Sequence, residues 1–159
     1  MNESSSARQT EGSHEGDREL MFAIVNSGRA VEQSLEEALT RVGLSLAKFG
    51  ALTHLVEAGE PLSLSECARR MTCVRSNVTQ LMDRLEADGL VRRIADLRDR
   101  RVVRASLTPL GIELQAAGAH EVARVQAELF RSLRGLDHDA LSRALSAIAS
   151  DPQPDAVSD

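Results

Sequence analysis

The chain contains no tryptophan, no tyrosine and three phenylalanines, Phe22, Phe49 and Phe130. Recognition by stacking bases on aromatic platforms, as many single-strand nucleic-acid binders do, is therefore excluded. Lysine is nearly missing too, with Lys48 alone beside eighteen arginines. No apolar run approaches the ~20 residues of a membrane span, and the polar stretch up to Asp17 carries no signal-peptide core, so no membrane partner is expected. Two cysteines, Cys67 and Cys73, without an export signal read as reduced thiols of a cytoplasmic protein. No Gly-rich phosphate loop, His-x-x-x-His pair or nucleophile elbow occurs, and the scattered Asp, Glu and His have surface explanations; an enzyme is not expected. His14, His54, His120 and His138 show no ligand spacing with cysteines or acids, so neither a metal nor a cofactor is expected.

What is present is an uneven distribution of charge. The whole chain of 159 residues carries a net charge of −5. Between Arg69 and Arg104, however, ten arginines stand against five acids, a net of +5 that leaves −10 for the remainder. A local basic surface on an acidic body suggests a polyanion as partner, although a solvated helical face would have the same composition. Arginine offers a planar fork that matches phosphate and guanine edges.

The apolar periodicity is mostly helical. Residues 1–17 and 150–159 are polar and expected to be disordered. Leu20, Ile24, Val31, Leu35, Ala38 and Val42 mark a long first helix that stops at Gly43. Ser45 caps a second, with Phe49, Leu52, Leu55 and Val56 inward, ending at Gly59-Glu60-Pro61. Ser63 and Glu66 form a capping box that opens a short third helix, with Leu62 placed to staple onto Cys67. A fourth runs from about Val74 to Asp88 with Val78, Leu81, Met82 and Leu85 on one face. The β-branched runs Leu90–Ile94 and Val102–Leu107 flank a polar stretch and read as a hairpin. Thr108-Pro109 is a strong helix start for a long fifth helix, and Asp137 opens a sixth.

A short helix pair followed by a hairpin is the spacing of a winged helix-turn-helix. The expected fold is thus mainly α with a small β wing over 45–108. Residues 18–44 and 109–149 would form a helical dimerisation region, because these helices are too long and apolar for so small a domain to cover. On the fourth helix, the face opposite the apolar stripe shows Arg75, Ser76, Thr79, Gln80 and Asp83. Glutamine can bond adenine bidentately and arginine guanine, while hydroxyls suit phosphates or either base. A plain solvent face is the bland alternative. In the hairpin, Asp99 can pair with Arg101, leaving Arg98 to reach a minor groove and Arg100 with Arg92 or Arg93 to touch phosphates. Cys67 lies on an inward stripe, whereas Cys73 precedes the fourth helix, where a helix N-terminus and Arg75 could lower its pKa and make it a redox switch.

Leu90-Val91-Arg92-Arg93, Asp99-Arg100-Arg101 and Leu107-Thr108-Pro109-Leu110-Gly111 resemble the wing signature of the multiple-antibiotic-resistance regulator (MarR) family. Ser76-Asn77-Val78-Thr79-Gln80-Leu81-Met82-Asp83-Arg84-Leu85 is similar to its recognition helix. The resemblance covers about Leu20 to Ile148. It implies a homodimer on a pseudo-palindromic duplex, usually a repressor released by a small phenolic ligand, an oxidant or a metal. The implied DNA-binding residues are Arg75, Asn77, Thr79, Gln80, Arg84, Arg92, Arg98 and Arg100. By the same analogy, Phe49, Leu52 and His54, with Leu20 to Val31, would line an effector pocket. Gln80 stands where the family often has Arg, Leu97 replaces a common Pro at the wing tip, and Val74 occupies a usual Ser cap position. The alternatives are a thiol sensor working through Cys73 and a dimeric interaction module that binds no DNA.

Overall fold

The computed structural model describes residues 4–71, 75–96, 99 and 102–150. Along the chain come α1 (Ser4–Thr40), α2 (Leu46–Ala58), β1 (Leu62–Ser63), α3 (Leu64–Arg70), α4 (Arg75–Ala87), β2 (Val91–Ala95), β3 (Val103–Leu107), α5 (Pro109–Ser132) and α6 (His138–Ser150). The chain divides into two units, Met1–Val125 and Gln126–Asp159.

Helix α1 begins at Ser4, within the stretch expected to be disordered up to residue 17. Its early turns contain no proline, and Ala7, Arg8, Gln9, Glu11 and Glu15 are good helix formers, set against Gly12 and Gly16, which are poor ones. The expected tail past Ser150 lies outside the described residues. The division into units also departs from boundaries at 44 and 108. Ala38 and Leu39 of α1 are fully buried, the Leu46 N–H donates to Glu36 Oε2 (2.7 Å), and Arg41 of the α1–α2 link pairs with Glu121 of α5 at 3.0 Å.

In the first unit the sheet has the order β1-β3-β2, antiparallel throughout. Strand β2 pairs with β3 from Val91↔Leu107 to Ala95↔Val103, the expected hairpin. Strand β1 adds Leu62↔Ala105 and Ser63↔Arg104, a pairing too short for any alternation to reveal in sequence. The core gathers Leu39, Leu52, Cys67, Val78, Met82 and Leu85 from α1–α4, with Leu90 from the turn before β2. Val56, expected inward, is exposed instead. Helix α2 ends at Gly59, whose φ of 67° lets its N–H reach back to the Val56 carbonyl.

The short α3 opens on the capping box read from sequence: Ser63 Oγ accepts from the Glu66 N–H (3.2 Å) and Glu66 Oε2 from the Ser63 N–H (2.7 Å). Thr108 caps α5 by accepting from the Gly111 N–H at 3.0 Å, while its hydroxyl donates to the Gly89 carbonyl at 2.7 Å. In the second unit, Asp137 caps α6 by accepting from the Ala140 N–H (2.9 Å), and the His138 ring packs on Phe130 with centroids 5.4 Å apart.

These elements are a winged helix-turn-helix: α3 and α4 form the helix pair and β2–β3 the wing.

Candidate nucleic-acid interface

Helix α4 is held by Val78, Met82 and Leu85, all buried, which fixes the rotation of its opposite face. Gln80 sits near the middle of that exposed face, with Asn77 and Arg84 along one flank. With Ala47 of α2 and Met71 these three line a groove of about 340 Å³. Among the described residues, the side chains of Asn77, Gln80 and Arg84 have no hydrogen bond or ion pair, so their donors and acceptors point to solvent. Thr79, on the other flank, is half-buried and has a partner. Arg75 opens the helix.

The acids that would repel phosphate here are paired within the chain. Asp83 pairs with Arg93 Nη2, and Glu86 accepts from the Arg93 backbone N–H (3.0 Å) with its carboxylate 3.6 Å from Arg93 Nη1. Arg93 is therefore committed to clamping β2 onto α4, and of the two arginines expected to touch phosphate from β2 only Arg92 is exposed. Arg104 is likewise internal, bonded to Asp96, Glu66 and the Pro61 carbonyl. Arg69 and Arg70, in the last turn of α3, face solvent, as does Arg84. The basic segment thus separates into structural arginines and presented ones. The sequence count could not do this, because a count does not say which acid each arginine meets.

Several expected site residues fall elsewhere. Arg98, Arg100 and Arg101 lie outside the described residues, so the Asp99–Arg101 pair and the minor-groove arginine do too. Cys73, the redox candidate, also lies outside them. Cys67 is buried, and its burial pushes the thiol up, away from the thiolate that redox chemistry needs. The expected effector trio does not assemble. Leu52 is fully buried in the core, Phe49 packs against Gly118 of α5, and His54 borders a different groove with Glu32 and Glu36 and lies 3.4 Å from Glu57. Helical spacing puts Phe49 and Leu52 about 60° apart on one side of α2, but turns His54 by more than a quarter turn from both. Among the described residues no group of three His, Cys, Asp or Glu could hold a metal ion, and no helix is long and apolar enough to cross a membrane.

Sequence reasoning missed the Asp96–Arg104–Glu66 cluster at the base of the wing. Its one legible sign was the hairpin register, which brings the two chain segments side by side.

Known proteins share this arrangement. The MarR family profile matches residues 44–103, the stretch from the end of the α1–α2 link through β2 and into β3. The transcriptional regulator BldR of Sulfolobus solfataricus superimposes with a TM-score of 0.67 at 30% identity, over 85% of this chain and 95% of that one. This chain is a member of the MarR family. Another similar structure is the transcriptional repressor CouR bound to a 23-mer DNA duplex, with a TM-score of 0.71 at 29% identity over 82% of this chain and 92% of that one. Among curated relatives, the HTH-type transcriptional repressor MdtR of Bacillus subtilis is 36% identical over 97 residues, 58% of this chain and 62% of the relative. The chain spans about three-fifths of the length of the curated relatives it matches. For this MarR-family chain the matched stretch contains α3, α4 and β2, the elements that build the exposed face.

Proposed function

We propose that this MarR-family protein is a homodimeric transcriptional repressor that binds a pseudo-palindromic DNA duplex through α4 and the wing and is released by a small molecule. The observation that carries this reading is the exposed face of α4. Asn77, Gln80 and Arg84 are presented without internal partners, while the neighbouring acids Asp83 and Glu86 are both paired with Arg93. A helix so furnished suits a major groove: the amides can bond adenine edges and Arg84 or Arg92 a phosphate or guanine. CouR, in complex with DNA, and BldR support the regulatory part of the reading. The crystal structure of CouR from Rhodococcus jostii with p-coumaroyl-CoA bound, at 25% identity and a TM-score of 0.69, supports the ligand-responsive part. The two half-sites would be inverted repeats, as two-fold symmetry requires, with centres about one helical turn or a multiple of it apart.

Selection from random duplexes followed by fluorescence anisotropy at near-physiological salt tests the proposal. The selected duplex is expected to bind ~10³-fold or more tightly than a scrambled one. Gln80→Ala should lose roughly 5- to 100-fold of that preference while leaving scrambled-duplex binding unchanged. Equal, weak and salt-sensitive binding to both duplexes would refute the reading.

A further inference from the structure

Arg104 belongs by sequence to the basic segment, yet its guanidinium is aimed into the protein. It lies on β3, the central strand, opposite Ser63 of β1, and this register places the side chain over the start of α3. There it reaches three chain segments at once. Its Nε donates to Asp96 Oδ2 at the end of β2, and its Nη1 donates to the Pro61 carbonyl (3.1 Å) and to Glu66 Oε2 (3.2 Å). That Glu66 oxygen is the one that closes the capping box on the Ser63 N–H. Asp96 is also engaged twice. Its second carboxylate oxygen accepts from the Asp99 N–H (3.0 Å), and its backbone N–H donates to the Val102 carbonyl (2.9 Å), which shapes the stem of the wing.

One planar fork therefore joins the stem of the wing, the loop before β1 and the N-terminal cap of α3. A two-stranded ribbon is marginally rigid by itself, and β1 reinforces this one with only two residues. The stem cannot tilt away from α3 without breaking charge-assisted bonds, which are about twice as strong as neutral ones. A lysine could not replace the fork, since its single ammonium cannot hold Asp96 on one edge and Glu66 on the other in a fixed plane.

We propose that Arg104 is a positioning residue that tethers the wing to α3 and thereby sets where the wing meets the duplex. The second half of this statement rests on the DNA-binding reading above. The tether itself does not.

Two variants test it, Arg104→Met, and Asp96→Asn as a milder change that keeps the turn acceptor. With the selected duplex, each should retain the preference carried by Gln80. Each should lose discrimination at the flanking base pairs, from about tenfold to within twofold of none. The salt slope of Arg104→Met should match that of the unmodified protein. A slope shallower by about 0.9 would make Arg104 a phosphate ligand and overturn the proposal. Asp96→Asn separates the ideas by sign: charge alone predicts tighter binding with flank discrimination intact, and that result would also overturn it. Without DNA, amide exchange at Ser63 and Asp99 should rise together in Arg104→Met by about tenfold. A rise at Asp99 alone would show that no tether exists. If the unmodified protein prefers no duplex, the DNA reading fails, and the exchange experiment still decides the tether. Should Arg104→Met not fold, flank discrimination in Asp96→Asn decides: its loss supports the tether and its retention overturns it.

Discussion

At Gly111 a methyl group has nowhere to go. A Cβ there would lie 2.0 Å from the Leu90 carbonyl oxygen, and a backbone oxygen held by the Thr108 N–H cannot swing aside as a side chain can. The close approach follows from Thr108, whose N–H bonds the Leu90 carbonyl (3.1 Å) and whose hydroxyl bonds that of Gly89. Together they draw the first turn of α5 onto the start of β2. Gly111→Ala should therefore destabilise the protein by about 1–3 kcal/mol, the usual range for overpacking, as read from urea unfolding; a loss under about 0.5 kcal/mol would contradict the contact. Leu-Thr-x-x-Gly can be recognised in the sequence, but its cause cannot, because Leu90 is remote in the chain. The same limit explains the arginines. Nothing in the spacing around Arg93 announces that Asp83 and Glu86 take it up, nor around Arg104 that Glu66 does, whereas Gln80 is legible because its neighbours on α4 follow helical spacing.

Among the elements, α3 depends most on its cap. It has only seven residues, too few to persist by propensity, so the capping box and the burial of Cys67 must hold it. The Ser63 hydroxyl and backbone bonds, followed by the charge of Arg104, hold the Glu66 carboxyl below its usual range. A lowered folded pKa contributes stability that is present above the unfolded value. It is lost as pH falls from about 4–5 through the lowered folded value. Ser63→Ala should cost about 1 kcal/mol near neutral pH, and the acid limb of its stability profile between about pH 5 and 3 should be flatter than that of the unmodified protein. A parallel limb would mean that Glu66 owes its shift to other groups. Elements with local signals are legible in the sequence: the Ser63–Glu66 box, the Thr108-Pro109 start and the Asp137 cap each need four residues or fewer. Strand β1 is not, because two residues show no alternation. The early start of α1 is hidden for a different reason, since polar composition alone does not distinguish an exposed helix from a coil.

For the whole molecule, the feature that calls for a partner is apolar surface. Helix α1 leaves Leu20, Met21, Phe22 and Val25 exposed, at 61%, 53%, 54% and 43%, and α6 leaves Leu145 and Ile148 exposed. Exposed apolar side chains gathered on one stretch of helix mark a surface that meets something, and a second copy would cover the α1 stretch of both chains by two-fold symmetry. The charge distribution supports this choice over a nucleic-acid role for α1. The net charge outside residues 69–104 is −10, which would repel a phosphate backbone. Light scattering should therefore give a mass near twice the 17.2 kDa of the chain. Leu20→Glu combined with Phe22→Glu should halve that mass, since burial of each such side chain contributes about 1.5–3 kcal/mol and symmetry counts every substitution twice. The melting transition of the winged unit should persist, because neither residue belongs to its core. Duplex affinity should nevertheless fall by ~10² or more. A monomer holds one half-site, and the second contact is no longer made at the high effective concentration that the dimer provides. A double variant that stays dimeric would place the interface elsewhere. One that becomes monomeric yet binds the full duplex undiminished would mean that the two half-sites are not read together.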